Sequence, residues 1–165
     1  MRRLLGIDLG ERRIGLAVAD ADGSGARPFD TIRRRRKPAD DAAALAEFVT
    51  AQEIAELVVG LPLEASGQHG SQAELTMAWA ADIADALGLP VTMRDERLTS
   101  HLAEQRLGPM KRGRSGGPPT RAQREAYRAR VDREAAAIIL QDEIEARAAV
   151  QYGSPARTQR TETSP

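Results

Sequence analysis

Three short β-type runs follow one another at the start of the chain, before any helical pattern begins. The runs LLGID and RIGLAVAD are joined by LGERR, in which Gly10 can supply a tight turn. A third run, RPFDTIRR, comes after the turn-rich segment ADGSGA. Short links of this kind join antiparallel neighbours. The pattern therefore predicts an antiparallel meander of three strands.

Helical and strand patterns alternate in the rest of the chain. The predicted elements are a helix at 40–52 with Asp40 as N-cap, a buried strand at 56–60, a helix opened by a Ser71–Glu74 capping box and ending near Leu87, a strand at 91–97, a short helix at 99–107 and a long helix at 121–148. We therefore predict an α/β fold, with a mixed five-stranded sheet flanked by helices.

The length and composition indicate one domain. The 165 residues suit a single core, which we place at 1–148, and residues 149–165 contain too few apolar residues to fold and are predicted to be a disordered tail. The absence of cysteine excludes disulfides and thiolate chemistry. No apolar run approaches the roughly 20 residues needed to span a bilayer. A cytoplasmic protein without membrane attachment is expected.

The charges balance overall but are unevenly distributed. The chain has 24 basic and 24 acidic residues, yet arginine and lysine dominate at 106–133 and again in RRRRK at 33–37. Such patches can be the footprint of a polyanion. Arginine is abundant throughout the chain, so a general compositional bias is the alternative. The segment Gly108–Thr120, rich in glycine and proline, is predicted to be a mobile loop.

Asp8 is a carboxylate inside an apolar strand. Strand alternation places it on one face with Leu4 and Gly6, and the second strand offers a matching face of small residues. Small neighbours leave space for another group to approach the carboxylate. The alternative is a strand-end ion pair with Arg12 or Arg13.

Two further places in the sequence carry acids of interest. Asp95 and Glu96 end the fifth strand, at the sheet edge where ligands gather in α/β folds, although pairing with a neighbouring arginine is the alternative. Asp132 shares a helix face with buried apolar positions, so an unpartnered charge there would be costly. Its alternative is an ion pair with Arg128 or Arg97.

Together these carboxylates indicate a metal site. Ligands that offer only oxygen favour Mg²⁺ or Mn²⁺ over Zn²⁺, and His69 and His101 stand alone in the sequence. Such ions stabilise the attacking and leaving oxygens when a phosphodiester bond is cleaved.

The blocks GIDLGERRIGLAVAD, VVGLP, DERLTS and VDREAAAIILQ resemble, in this order, those of the YqgF/RuvX family. This family contains small RNase H-like proteins related to the Holliday-junction resolvase RuvC and described as pre-16S rRNA nucleases. The resemblance implies an RNase H-like fold and three catalytic, metal-binding carboxylates, Asp8, Glu96 and Asp132. Glu96 rather than Asp95 is the choice that the family implies, since strand alternation leaves both open.

The resemblance also implies a function and its partners. We expect a metal-dependent nuclease that processes the 5′ end of pre-16S rRNA in a ribosome precursor, acting as a monomer or homodimer. The residues expected to contact nucleic acid are Arg12, Arg13, Arg97, Thr99, Lys111, Arg112, Arg114 and Arg121. The alternatives are a resolvase of branched DNA, a non-catalytic nucleic-acid-binding or ribosome-assembly factor, and a sugar-kinase or actin-type ATPase.

Overall fold

A computed structural model of the chain describes residues 3–20, 22 and 24–152. It contains five strands: β1 Arg3–Leu9, β2 Arg13–Asp20, β3 Arg27–Arg33, β4 Ile54–Leu61 and β5 Val91–Asp95. It also contains four helices: α1 Pro38–Ala51, α2 Ser71–Leu87, α3 Thr99–Leu107 and α4 Arg121–Tyr152. The order of these elements along the chain is the predicted one.

The strands form one mixed sheet in the order β3-β2-β1-β4-β5. The first three strands are an antiparallel meander, and β1, β4 and β5 run parallel to one another. The carboxyl ends of these three parallel strands therefore meet at the same edge of the sheet. This edge carries Asp8 near the end of β1 and Asp95 at the end of β5.

The two faces of the sheet are covered differently. Leu5, Ile7 and their neighbours pack in a large apolar core with side chains of α1 and α2, including Leu45 and Ile83. The opposite face packs against α4, and α3 packs on the outer side of α4 through Ala103. The alternation predicted for β1 and β2 is confirmed, because it separates the residues of these two cores.

Small residues let α4 approach the sheet closely. A Cβ atom on Gly6 would lie 2.7 Å from the Cβ of Leu140 and 2.8 Å from the carbonyl oxygen of Ala136. Ala17 and Ala19 of β2 are also buried against this helix. The short distance between α4 and the sheet brings Asp132, on the same helix, towards β1.

Two predicted helix starts were wrong. The N-cap of α1 is Lys37 rather than Asp40, because Pro38 occupies the first helical position, where its missing N–H is not needed. Ser71 is already helical, and the N-cap of α2 is Gly70 without a side-chain hydrogen bond, so no capping box forms.

The last helix is longer than predicted. It continues to Tyr152, so residues 149–152, assigned to a disordered tail, are helical. Arg147 ties this end to the sheet, donating to Glu143 at 2.8 Å and to Glu56 of β4 at 3.1 Å. The rest of the predicted tail, 153–165, lies outside the described residues. No helix in the described part of the chain is long and apolar enough to cross a bilayer.

Candidate active site at the carboxyl edge of the sheet

Asp8 and Glu96 lie side by side at the carboxyl edge of the sheet. Asp8 is the penultimate residue of β1, and Glu96 follows the last residue of β5. The backbone N–H of Glu96 donates to the carbonyl oxygen of Leu61 at 3.2 Å, which extends the contact with β4 by one residue. The two carboxyl groups are joined by a side-chain hydrogen bond.

The two carboxyl groups share a proton. Burial and, to a smaller extent, the negative charge of Asp8 together raise the pKa of Glu96 to about 9. Burial also raises the pKa of Asp8, to about 6, whereas the hydrogen bond from Glu96 lowers it and the charge of Asp132 raises it. At neutral pH the Glu96 carboxyl therefore keeps a proton and donates it to the Asp8 carboxylate.

Two glycines make room for the acids of this site. A Cβ atom on Gly60 would overlap Oε2 of Glu96 and lie 2.6 Å from Cδ1 of Ile139. Gly15 is the direct partner of Asp8 across the β1–β2 pair, and a Cβ atom there would overlap the backbone carbonyl of Asp132. Gly60 thus leaves space for the carboxylate of Glu96, and Gly15 leaves space for the backbone of Asp132 next to Asp8. A side chain at either position would displace the acid that occupies this space.

Asp132 forms an ion pair with Arg13 and not with the other two acids. Its Oδ2 accepts a hydrogen bond of 2.5 Å from Nε of Arg13, and both side chains are largely buried. Neither Arg128 nor Arg97, the partners considered from the sequence, makes this contact. The charge of Asp132 is still close enough to raise the pKa of Asp8.

The three acids therefore form a pair and a neighbour rather than one cluster. Among the described residues, no group of three His, Asp or Glu side chains is arranged to hold a metal ion. The chemistry of the donors nevertheless suits a hard divalent cation, because Asp8 and Glu96 present adjacent carboxylate oxygens and no sulfur or imidazole. Two buried carboxyl groups that retain a proton because burial and their mutual repulsion disfavour a second negative charge would release it to such a cation.

A basic hollow adjoins Asp132. It has a volume of about 320 Å³ and is lined by Gly10, Glu11, Arg12, Arg13, Arg128 and Asp132. Its floor is the β1–β2 turn, closed by a 2.9 Å hydrogen bond from the N–H of Gly10 to the carbonyl of Arg13. Arg34 supports the turn by donating to the carbonyl of Gly10 at 2.9 Å. Arg12 and Arg128 are exposed, so their guanidinium groups are free to meet an anion from solvent.

The other predicted nucleic-acid contacts divide into two groups. Arg97 is exposed and forms a 2.7 Å ion pair with Asp95, and four further residues are exposed on the 108–120 loop and at the start of α4: Lys111, Arg112, Arg114 and Arg121. Thr99 is buried, and its predicted contact with nucleic acid stays a prediction. Its hydroxyl donates to the carbonyl of Glu96 at 2.7 Å, so it helps to position this acid.

A second and larger cleft was not predicted from the sequence. It has a volume of about 860 Å³ and lies against the residues that flank Glu96; its lining consists of Leu63, Ala65, Arg94, Asp95, Arg97, Leu98 and Asp142. These side chains come from a loop, a strand end and α4, and no local pattern joins them.

The start of α4, by contrast, has a signal that can be recognised in the sequence. Thr120 and Gln123 form a reciprocal capping box, with hydrogen bonds of 2.8 and 3.2 Å.

The sheet order, the helices on both faces and the acids at the ends of β1 and β5 define a protein of the RNase H-like class. The structure is similar to RuvC of T. thermophilus bound to a Holliday junction substrate, with a TM-score of 0.51 and 14% identity over 90% of this chain and 97% of that one. At this identity the likeness concerns the fold alone. The predicted fold class is thereby confirmed.

The sequence comparison is more specific. The family model described as "RuvX: Holliday junction resolvase" matches residues 2–146. A protein of Anaeromyxobacter dehalogenans named "Putative pre-16S rRNA nuclease" is 46% identical over 88% of this chain and 98% of its own length. One of the same name from Chloroflexus aurantiacus is 41% identical over 87% of both chains. The chain belongs to the RuvX family, which confirms the resemblance seen in its sequence blocks.

Proposed function

We propose that this protein is a divalent-metal-dependent nuclease that processes the 5′ end of pre-16S rRNA in the cytoplasm. The observation that carries the proposal is the proton-sharing pair of Asp8 and Glu96 beside Asp132. Structural roles alone do not account for this arrangement, since two adjacent and largely buried carboxyl groups without a basic partner in the described part of the chain are unfavourable in the absence of a cation. The relatives named as pre-16S rRNA nucleases support the choice of substrate.

Asp8 and Glu96 are the residues that would hold the cation, with Asp132 as the third ligand. A bound Mg²⁺ or Mn²⁺ supplies positive charge that stabilises the attacking and leaving oxygens at phosphorus. Glu96 would give up the proton on its carboxyl group to act as a ligand, because the positive charge of the cation would compensate the carboxylate in its place. Arg13 keeps Asp132 in place beside the pair through its 2.5 Å hydrogen bond.

The basic hollow would bind the phosphate backbone next to the acids. Arg12 and Arg128 face it from the β1–β2 turn and from α4, and Arg13 and Asp132 complete its wall. Guanidinium groups match phosphate oxygens in geometry and charge. The exposed basic residues of the 108–120 loop would extend this contact along the nucleic-acid strand. Binding should therefore depend strongly on salt concentration, because each phosphate contact releases counterions.

The decisive experiment compares wild-type protein with Asp8→Asn on a pre-16S rRNA substrate in the presence of Mg²⁺ or Mn²⁺. We expect wild type to cleave and Asp8→Asn to bind the RNA without cleaving it. Asp85→Asn, an exposed acid on α2 at the opposite face of the sheet, is the matched control and should cleave normally. Cleavage by a clean preparation of Asp8→Asn would overturn the assignment.

A second candidate is the resolution of Holliday junctions. The family description and the similarity of the fold to RuvC favour it. Symmetric paired cuts require two copies of the site, so this activity predicts a homodimer, whereas cleavage of one RNA strand needs a monomer only. Paired incisions in a synthetic junction, without cutting of pre-16S rRNA, would select the resolvase. Absence of cleavage on every RNA and DNA substrate would select a non-catalytic assembly factor.

A further inference from the structure

Leu98 adopts a backbone conformation that suits few residues. Its φ of 64° and ψ of 5° lie in the left-handed region, and its side chain is 76% exposed. Glycine and asparagine occupy this region far more readily than a branched apolar residue does. Leu98 gains no burial in return, so neither the backbone nor the core explains a leucine here.

The side chain of Leu98 lines the 860 Å³ cleft, which we call the Leu98 cleft. Leu63 and Ala65 add further apolar surface, and Arg94 and Arg97 add two guanidinium groups. The volume lies within the range of sites that bind a small organic ligand. Asp95 ends β5 and precedes Glu96 in sequence, so the cleft lies at the same carboxyl edge of the sheet as the Asp8–Glu96 pair.

The charges of the cleft are balanced. Arg97 contacts Asp95 at 2.7 Å, and Arg94 lies 3.7 Å from Glu143 and beside Asp142. A free phosphate would have to compete with these carboxylates. A nucleobase carries no charge, and its faces stack well on apolar side chains and guanidinium planes. The basic hollow at Asp132, in contrast, has three arginines for its two carboxylates and suits a phosphate.

We propose that the Leu98 cleft binds one unpaired nucleobase of the substrate, next to the phosphate that is cleaved. Leu98 contacts a face of this base that a duplex would keep stacked, so the site selects a single-stranded or distorted position. This inference rests on the proposed nuclease function and names the substrate feature that the site reads. The basic hollow would then hold the phosphate backbone, and the Leu98 cleft would hold the base.

The test measures binding rather than cleavage, in an Asp8→Asn background. The probe is a short single-stranded RNA that contains 2-aminopurine, whose fluorescence rises when the base leaves its stack, compared with the same RNA in a duplex. We expect the single strand to bind with a rise in fluorescence. Leu98→Asn should weaken this binding about tenfold and remove the rise, because the apolar contact with the base is lost.

Two controls separate this effect from others. Leu75→Asn removes an exposed leucine of α2 outside the cleft and should leave the binding unchanged. Thermal unfolding should show that Leu98→Asn is folded and no less stable than its parent, because asparagine accepts the left-handed backbone. Equal affinities for Leu98→Asn and its parent, or equal losses with Leu75→Asn, would overturn the inference.

The inference and the proposed function fail in different ways. If wild type cleaves pre-16S rRNA and Leu98→Asn binds the single strand as well as its parent, only the inference is wrong. If binding depends on Leu98 but no variant cleaves any substrate, the cleft is a nucleobase site in a protein without nuclease activity, and the proposed function is wrong.

Discussion

The carboxyl groups of Asp8 and Glu96 are joined by a hydrogen bond, although one belongs to the first strand of the sheet and the other follows the last. Burial raises the pKa of both, and the proton that they share near neutral pH removes one of two adjacent negative charges. Thr99 fixes the backbone of Glu96, and Gly60 leaves space for its side chain. The position of Glu96 beside Asp8 is therefore determined by the backbone around Glu96 and Gly60, and not by the conformation of a single flexible side chain.

This relationship predicts that Glu96, and not its neighbour Asp95, is required for cleavage. Glu96→Gln should lower the cleavage rate about a hundredfold or more. Even residues that only hydrogen-bond to a metal ligand typically contribute about 10–100-fold to metal affinity or activity, and Glu96 is a proposed ligand itself. Asp95→Asn is the matched control and should retain most of the activity, because Asp95 is exposed and pairs with Arg97. Single-turnover rates on one substrate measure the difference; the reverse order of the two variants would contradict the site.

The shared proton also predicts a pH dependence of stability in metal-free protein. The folded-state pKa of Glu96 is raised from 4.5 to about 9, so its favourable contribution is complete below about pH 4.5 and is lost as the pH rises towards 9. Glu96→Gln has no proton to lose. Its free energy of unfolding should exceed that of wild type at alkaline pH by an amount on the order of 2 kcal/mol.

Denaturant unfolding in the presence of a chelator, repeated across this pH range, measures the effect. The control is Glu47→Gln, which neutralises an exposed acid of α1. Its curve should stay parallel to that of wild type, whereas the curve of Glu96→Gln should diverge from both as the pH rises from about 4.5 to about 9. Three parallel curves would show that Glu96 ionises normally in the folded protein.

Metal binding should stabilise the folded protein through the same pair. Under the proposed function Mn²⁺ would bind the native acids and not the unfolded chain, so it should raise the unfolding midpoint as its concentration increases. The shift should vanish in Asp8→Asn and in Glu96→Gln, and should persist in Asp95→Asn. Thermal scans with and without Mn²⁺ measure it. A midpoint in wild type that does not respond to Mn²⁺ would contradict the proposed ligands.

The neighbouring arginines Arg12 and Arg13 should have separate roles. Arg13→Gln leaves the largely buried carboxylate of Asp132 without its partner and should lower the free energy of unfolding by about 1–3 kcal/mol. Arg12→Gln removes an exposed charge and should change stability by less than about 0.5 kcal/mol. It should instead weaken nucleic-acid binding and reduce the salt slope by about one. Denaturation and salt-titrated binding distinguish them, and equal effects on both measures would refute the division.

The glycines of the site should not tolerate a methyl group. Gly15→Ala drives a Cβ into the backbone of Asp132 and should destabilise the fold by about 3 kcal/mol, because a helix backbone cannot yield as a side chain does. Gly60→Ala displaces the carboxylate of Glu96 and should reduce cleavage more than stability. Gly117→Ala, with no atom within 4 Å of the added Cβ, is the control. Unchanged stability of Gly15→Ala would show that α4 is not held against β2 here.

Much of the fold could be read from periodicity. Alternation along β1 and β2 separated the residues that face α1 and α2 from those that face α4, and glycine at position 88 marked the end of α2, where it is left-handed. The errors lay at helix starts. Backbone geometry decided them, since Pro38 and Gly70 determine where α1 and α2 begin without any side-chain cap.

The sequence by itself placed Asp8 and Asp132 on inward faces, because the direction of a side chain follows from the period of its own strand or helix, but this period left the choice between Asp95 and Glu96 open. Which groups those acids meet was decided by the tertiary structure alone. Arg13 reaches Asp132 across 119 positions of the chain, and Leu98 reaches the cleft only because its backbone turns into the left-handed region. Local patterns carry no information on contacts that close packing of α4 on the sheet creates, and the site is made of such contacts.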